Sequence, residues 1–279
     1  MNNFMNRFNI PVRKFLVISS LALLVSCGGS SGGGGGDDGF PTPTLPNDAA
    51  RFDATNANDT AVTTMAFVDT FSLVTQLKRE APPSIPQVIN RVIDQFIMRD
   101  RNSPSVAART EDISAGLCIT GSAIAVFDET ANSEAGTITF TNCDVGSGIL
   151  INGSLPYDTS WNDVTLDYSF LFGGTLSFQI GSDTIVIVMN LSESGNIGTG
   201  DFSSSISFSL SGIPGGGFLV TTTQPLVGNA FALTVDSGQL IVGGADDTRL
   251  RITVTGINAA DVDLDNGSGT FVLDSTILF

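Results

Sequence analysis

From Ile113 to Phe279 apolar and polar side chains alternate in twos, and the interruptions are Gly, Asn, Asp and Ser. Val164, Leu166, Tyr168, Phe170 and Phe172 alternate with Thr165, Asp167 and Ser169. Phe202, Ile206, Phe208 and Leu210 stand among serines, and Leu250, Ile252 and Val254 alternate with Arg249, Arg251 and Thr253. A period of two belongs to antiparallel strands with one buried and one wet face. The spacing of the turn residues predicts about ten to twelve short strands. Asn152-Gly153 and Asn266-Gly267 read as hairpin turns, because both residue types tolerate positive φ. The unbroken run Ile185-Val-Ile-Val-Met189 predicts a strand covered on both faces.

Upstream of this region the period becomes helical. Val62, Met65, Ala66, Phe67, Phe71, Val74 and Leu77 recur at helical spacing after a cap at Asn58 or Asp59, and Pro82-Pro83 closes the segment after Glu80. A second helix starts from Ser84 and Ile85-Pro86, carries Val88, Ile89, Val92, Ile93, Phe96 and Ile97 on one stripe, and ends near Arg101. The expected fold is therefore mainly β with a small α part: a helical hairpin over 49–110, then an antiparallel, curved or sandwich-like β domain over 111–279.

The N-terminus follows another rule. Arg7, Arg13 and Lys14 precede an apolar run from Phe15 to Val25, too short to cross a bilayer core as a helix, and small residues follow. This is the layout of a secretory signal over 1–26. Leu24-Val25-Ser26-Cys27 resembles the lipobox of bacterial lipoproteins. That resemblance implies that Cys27 receives the lipid, and the Gly28 that follows it implies sorting to the outer membrane rather than the inner one. Thr139-Phe-Thr-Asn-Cys143 with Ile151-Asn-Gly-Ser154, and Ser237–Ala245 with Arg249–Val254, are similar to segments of uncharacterised Gram-negative outer-membrane lipoproteins, and this adds no activity. Residues 27–48, with Gly32–Gly36 unbroken and Pro41, Pro43 and Pro46 beyond, have too little apolar surface to offset chain entropy and read as a flexible tether.

Charge narrows the partners. The chain carries 28 acidic and 12 basic residues, net −16, and three of the basic ones precede Cys27 while every acidic one follows it. Phosphate backbones need the opposite sign, so no nucleic-acid partner is expected. Lys78, Arg79, Arg91, Arg99, Arg101 and Arg109 gather most of the remaining positive charge near the helices. With Cys27 assigned to lipid, Cys118 and Cys143 remain. In an export compartment they are expected to form a disulfide, since a hairpin turning at Asp128–Glu134 sets them opposite one another.

The absence of His removes Ser-His-Asp and Cys-His nucleophilic systems, along with the usual zinc and haem ligands. No cofactor and no enzymatic activity are expected; a carboxylate-dependent hydrolase is the alternative that counting Asp and Glu leaves open. Asp261, Asp263 and Asp265 invite a calcium reading, but an EF-hand-like loop from Asp261 would need Gly where Asn266 stands and a carboxylate where Val272 stands, so they are weak candidates. Phe271, Leu273, Ile277 and the terminal Phe279 look like the last strand of an integral outer-membrane β-barrel. The leading expectation is a lipid-anchored, palmitate-bearing envelope module facing the periplasm or the cell surface. It would bind an apolar ligand or an envelope protein, or act as a structural element.

Overall fold

The computed structural model describes residues 40–71 and 109–278, apart from single residues 116, 131, 147, 233 and 258. These residues are mainly β, with one helix, α1 (Ala57–Phe71). The strands are β1 (Arg109–Asp112), β2 (Thr120–Glu129), β3 (Ser133–Asp144), β4 (Ile149–Trp161), β5 (Asp167–Ile180), β6 (Asp183–Asn196), β7 (Asp201–Ser211), β8 (Phe218–Asn229), β9 (Thr234–Gly243), β10 (Arg249–Gly256), β11 (Ala259–Asp265) and β12 (Val272–Leu278). They form one 12-stranded sheet in chain order, each strand antiparallel to the next. The sandwich alternative would split these strands between two sheets; here all belong to one. Among the described residues nothing pairs β1 with β12, so the sheet is open.

The period of two is realised as two unlike faces. Ile138 and Phe140, Leu155 and Tyr157, Phe170 and Phe172, Ile187 and Met189, Phe208 and Leu210, Leu250 and Ile252 all lie buried in one cluster. Burying this much apolar side chain supplies the main driving force for the fold. The intervening positions form the outer face, where Thr137 and Thr139, Ser203, Ser205 and Ser207, Arg249 and Arg251 stand half-exposed or exposed.

Two readings of the strand region change. Asn152-Gly153 is no turn: it lies inside β4, with Gly153 at φ +130. A Cβ there would lie 2.1 Å from the Thr175 carbonyl, so glycine is needed for the close approach of β5. Asn152 instead uses its Oδ1 to accept the Asn142 N–H at 2.8 Å, across a register shift of β3 against β4. Val164 and Leu166 belong to the β4–β5 turn rather than to a strand; Val164 is 90% exposed and Leu166 has φ +61. Asn266-Gly267 does lie in a connection, the longer loop between β11 and β12.

The helix begins earlier than expected. Asp53, not Asn58 or Asp59, caps it: its carboxylate accepts the Thr55 N–H at 2.8 Å while Asn56 Oδ1 accepts the Asp53 N–H at 3.0 Å, a reciprocal capping box. The buried stripe is Ala57, Ala61, Met65 and Val68, and Val62 faces solvent. The small alanines let the helix sit close to β10, β11 and β12, which it touches. The rest of the first predicted helix and all of the second lie outside the described residues.

The segment leading into α1 crosses the sheet's rim. Ala50 and Gly217 exchange backbone bonds with their neighbours, Ala50 N–H to Gly217 O at 2.8 Å and Gly217 N–H to Asp48 O at 2.8 Å. Asp48 also accepts the Gly212 N–H at 2.7 Å, and Phe52 N–H reaches Thr248 Oγ1 at 3.0 Å. Thr44, Pro46, Asn47 and Asp48 line an open groove with the outer-face residues Val186 and Val188, which are half-buried there, so the 185–189 strand is fully covered on its inner face alone and not on both faces as its apolar run predicts. The portion of the expected tether from 27 to 39 lies outside the described residues, as does the 1–26 signal.

Candidate functional site

The buried face is not uniformly apolar. Across β3 to β8 one row of paired residues runs Glu134, Thr159, Phe170, Glu193, Ser204 and Leu226. Every one of these side chains is buried, including both carboxyl groups. An enclosed carboxyl costs free energy unless hydrogen-bonded, and each of these two is reached by a tyrosine. Tyr157 donates to Glu134 Oε1 at 2.7 Å, and Tyr168 donates to Glu193 Oε1 at 3.1 Å.

The same construction is used twice. Glu134-Ala-Gly136 on β3 and Glu193-Ser-Gly195 on β6 each place a glycine two residues after the acid, on the same face. Gly136 pairs with Tyr157, and Gly195 pairs with Tyr168. A Cβ on Gly136 would lie 2.8 Å from the Tyr157 hydroxyl, and one on Gly195 would lie 2.7 Å from the Tyr168 ring. Each glycine therefore clears the path by which a phenol crosses its neighbouring strand to reach the acid. The chain has two tyrosines, and both are used in this way. Tyr157 and Tyr168 stand on β4 and β5, consecutive strands, so the two pairs open outward from one hairpin, with Thr159 and Phe170 between the acids.

Burial governs the chemistry of this row. Desolvation pushes the Glu193 carboxyl up to about 7, although the Tyr168 hydrogen bond pulls it the other way. The Tyr168 phenol is pushed far above its ordinary value by burial, and then by the Glu193 charge and hydrogen bond. A carboxyl with such a value can donate as well as accept near neutrality. The sequence pattern places Tyr168 in a strand and Glu134 at a turn but assigns none of the four residues to a site; the repeated Glu-x-Gly and the scarcity of tyrosine are the signals available.

The residues singled out from sequence are dispersed. Cys27 lies outside the described residues. Cys118, just before β2, and Cys143 in β3 form a disulfide with Cα atoms 5.0 Å apart, beside the β2–β3 hairpin whose turn follows the Glu129–Glu134 pair. Asp261 accepts a hydrogen bond from Thr276 Oγ1 at 2.9 Å. Asp263 pairs with Arg251 at 2.7 Å, and Asp265 pairs with Arg249 at 2.8 Å. Asp265 also receives the Gly269 and Gly267 N–H groups at 2.9 and 3.1 Å. Burial works against its ionisation, but Arg249 and these amides outweigh it and hold the carboxyl below the usual range. The three acids thus serve three different partners, and among the described residues no group of three or more potential ligands converges. Phe271 is removed from the expected β12 stripe: it precedes the strand and lies under both guanidinium groups, 4.6 Å from Arg251 and 5.5 Å from Arg249. Leu273 is exposed while Ile277 is buried, so the three do not share a face.

At the rim nearest the Glu–Tyr row, three turns are stitched together. Asn196 Oδ1 accepts from the Gly198 and Thr199 amides of its own turn while its Nδ2 donates to Thr165 O and to Asp167 of the preceding one. Asn229 repeats this, bonding Phe231 and Ala232 within its turn and Thr199 O and Asp201 beyond it. Asn162 makes the in-turn half of the pattern with Val164 and Thr165. These bonds hold the ends of β4 to β9 in fixed register next to the row. Comparison with family models, with curated proteins and with solved structures finds no match for this chain.

Proposed function

We propose that the protein is a lipid-anchored, non-enzymatic envelope lipoprotein whose β domain is a binding module for an apolar ligand carrying a hydrogen-bonding end. The observation that supports this reading is the contrast between the two faces of the sheet. Most of the apolar side chains are turned to the buried face, and the outer face is predominantly Ser, Thr and charged residues, with a few aliphatic ones such as Val126, Val186 and Val188 among them. Lipid-facing strands need the reverse arrangement, so this polarity favours a body that meets water and needs a separate anchor. The Cys27 motif would supply it, and the tether over 27–39 would give it slack.

Within that reading the curved sheet wraps its apolar face around the ligand. The Glu134–Tyr157 and Glu193–Tyr168 pairs, with Thr159 and Ser204 in the same row, are polar groups on the apolar face that would receive the ligand's hydrogen-bonding end, as few convergent polar groups in an apolar lining do elsewhere. The disulfide agrees with an oxidising compartment. Two experiments test the two halves separately. Metabolic labelling with radioactive palmitate is expected to label the mature chain and to fail in Cys27→Ser; an unlabelled mature chain removes the anchor. Mass spectrometry of protein extracted from native membranes is expected to show a stoichiometric co-purifying lipid that is lost or exchanged in a Tyr157→Phe/Tyr168→Phe variant. A ligand-free spectrum removes the carrier role and leaves a structural one.

A further inference from the structure

The chain contains two Asn-Gly steps, and the fold treats them oppositely. Asn152-Gly153 lies within β4, paired to β3 on one edge and β5 on the other, with the Asn152 side chain engaged by the Asn142 amide. Asn266-Gly267 lies in the β11–β12 loop, where residues 266 to 270 are all exposed and the Gly267 amide donates to Asp265 at 3.1 Å. We infer that Asn266 is a site of spontaneous covalent modification by deamidation, and that Asn152 is protected from it by the sheet.

The step needs water alone as co-reactant. The Gly267 backbone nitrogen loses its proton and attacks the Asn266 side-chain carbonyl carbon. A new C–N bond closes a five-membered succinimide, and the side-chain nitrogen leaves as ammonia. Water then adds to either imide carbonyl, giving aspartate or the β-linked isoaspartate. Attack requires the backbone to swing the nitrogen onto the side chain. Gly267, lacking Cβ, allows this in a solvent-exposed loop that opens locally, whereas Gly153 would have to leave two ladders at once.

The product matters to its surroundings. Aspartate adds a charge beside Asp265, and isoaspartate lengthens the backbone between Asp265 and the Gly267 and Gly269 amides that it accepts. Either change loosens the loop that carries the Arg249 partner.

The test is peptide mapping of the purified folded chain after incubation in mildly alkaline buffer. Conversion of amide to acid, with an isoaspartate fraction, is expected at Asn266 at a rate greater than that at Asn152 by a factor on the order of ten or more. In denaturant at the same pH the two rates are expected to converge, since both steps are Asn-Gly. Asn266→Ser should abolish the loop product without altering the Asn152 peptide. Equal rates in the folded chain, an intact Asn266, or a rate difference that persists in denaturant each overturn the inference.

Discussion

Glu193 on the buried face and Asp265 at the end of β11 are both enclosed carboxyl groups, at 4% and 0% exposed, yet they sit on opposite sides of the ordinary range. Glu193 is met by a phenol, which brings a hydrogen bond and no charge, so desolvation wins and the acid is held up to about 7. Asp265 is met by a guanidinium and two amides, and although burial opposes ionisation, those donors prevail and the acid is held down. Enclosure alone therefore does not decide protonation; the number and kind of donors that meet the acid do, one phenol for Glu193 against a guanidinium and two amides for Asp265. One fold thus stores two pH dependences of opposite sign, one on each side of its sheet.

The largest expected effect tests the buried half of that contrast. A raised folded value means that stability is fully present below the unfolded value of 4.5 and is lost as pH rises through about 7. The shift corresponds to roughly 3 kcal/mol between acid and alkaline conditions. Glu193→Gln keeps an acceptor for Tyr168 and cannot ionise, so it should match the parent near pH 4 and exceed it by about 3 kcal/mol above pH 7. Urea denaturation of both proteins across this range is the measurement. Parallel curves would mean that Glu193 is ionised inside the fold and that the contrast with Asp265 is empty.

A smaller effect separates the phenol from the burial. Tyr168→Phe removes the donor but keeps the ring over Gly195, costing about 1 kcal/mol at neutral pH. Because that hydrogen bond pulls the Glu193 carboxyl down, the variant should raise it further, seen as a higher midpoint for the buried carboxyl band in infrared titration. A midpoint that falls or stays fixed would show that the phenol does not favour the ionised acid.

How much of this was legible in sequence depends on how locally each feature is encoded. The buried series Phe202–Leu210 and Leu250–Val254 could be read because a strand's facing is set by its own alternation. The disulfide could be read because the polar stretch between the cysteines marks a symmetric hairpin. Asn152-Gly153 misled because the same dipeptide that suits a turn also suits a register shift, and only the neighbouring strands decide between them. The expected cap at Asn58 or Asp59 gave way to Asp53 because Asn56 completes a box with it. The Glu–Tyr row was hidden for a stronger reason: Tyr168 precedes Glu193 by a full hairpin, and they meet only because Gly195 falls opposite the ring. Chemistry assembled through register is invisible to a reading that knows only spacing along the chain.

The smallest effect lies at the exposed end of the comparison. Arg249 is 44% exposed, so its attraction to Asp265 is screened by solvent and salt. A depressed folded value gives stability that is present above the unfolded value of 3.8 and is lost as pH falls through the lower folded one. Arg249→Met removes the guanidinium and leaves the two amides, so the Asp265 carboxyl should move back toward its ordinary value. The variant should melt below the parent at neutral pH and converge with it in acid, the reverse of the Glu193→Gln pattern. Asp265→Asn in the same series separates causes: if the Arg249→Met deficit persists on the Asp265→Asn background, the lost stability belongs to the guanidinium's contact with Phe271 and not to the ion pair. If it vanishes, the ion pair is what sets the opposite sign on this side of the sheet.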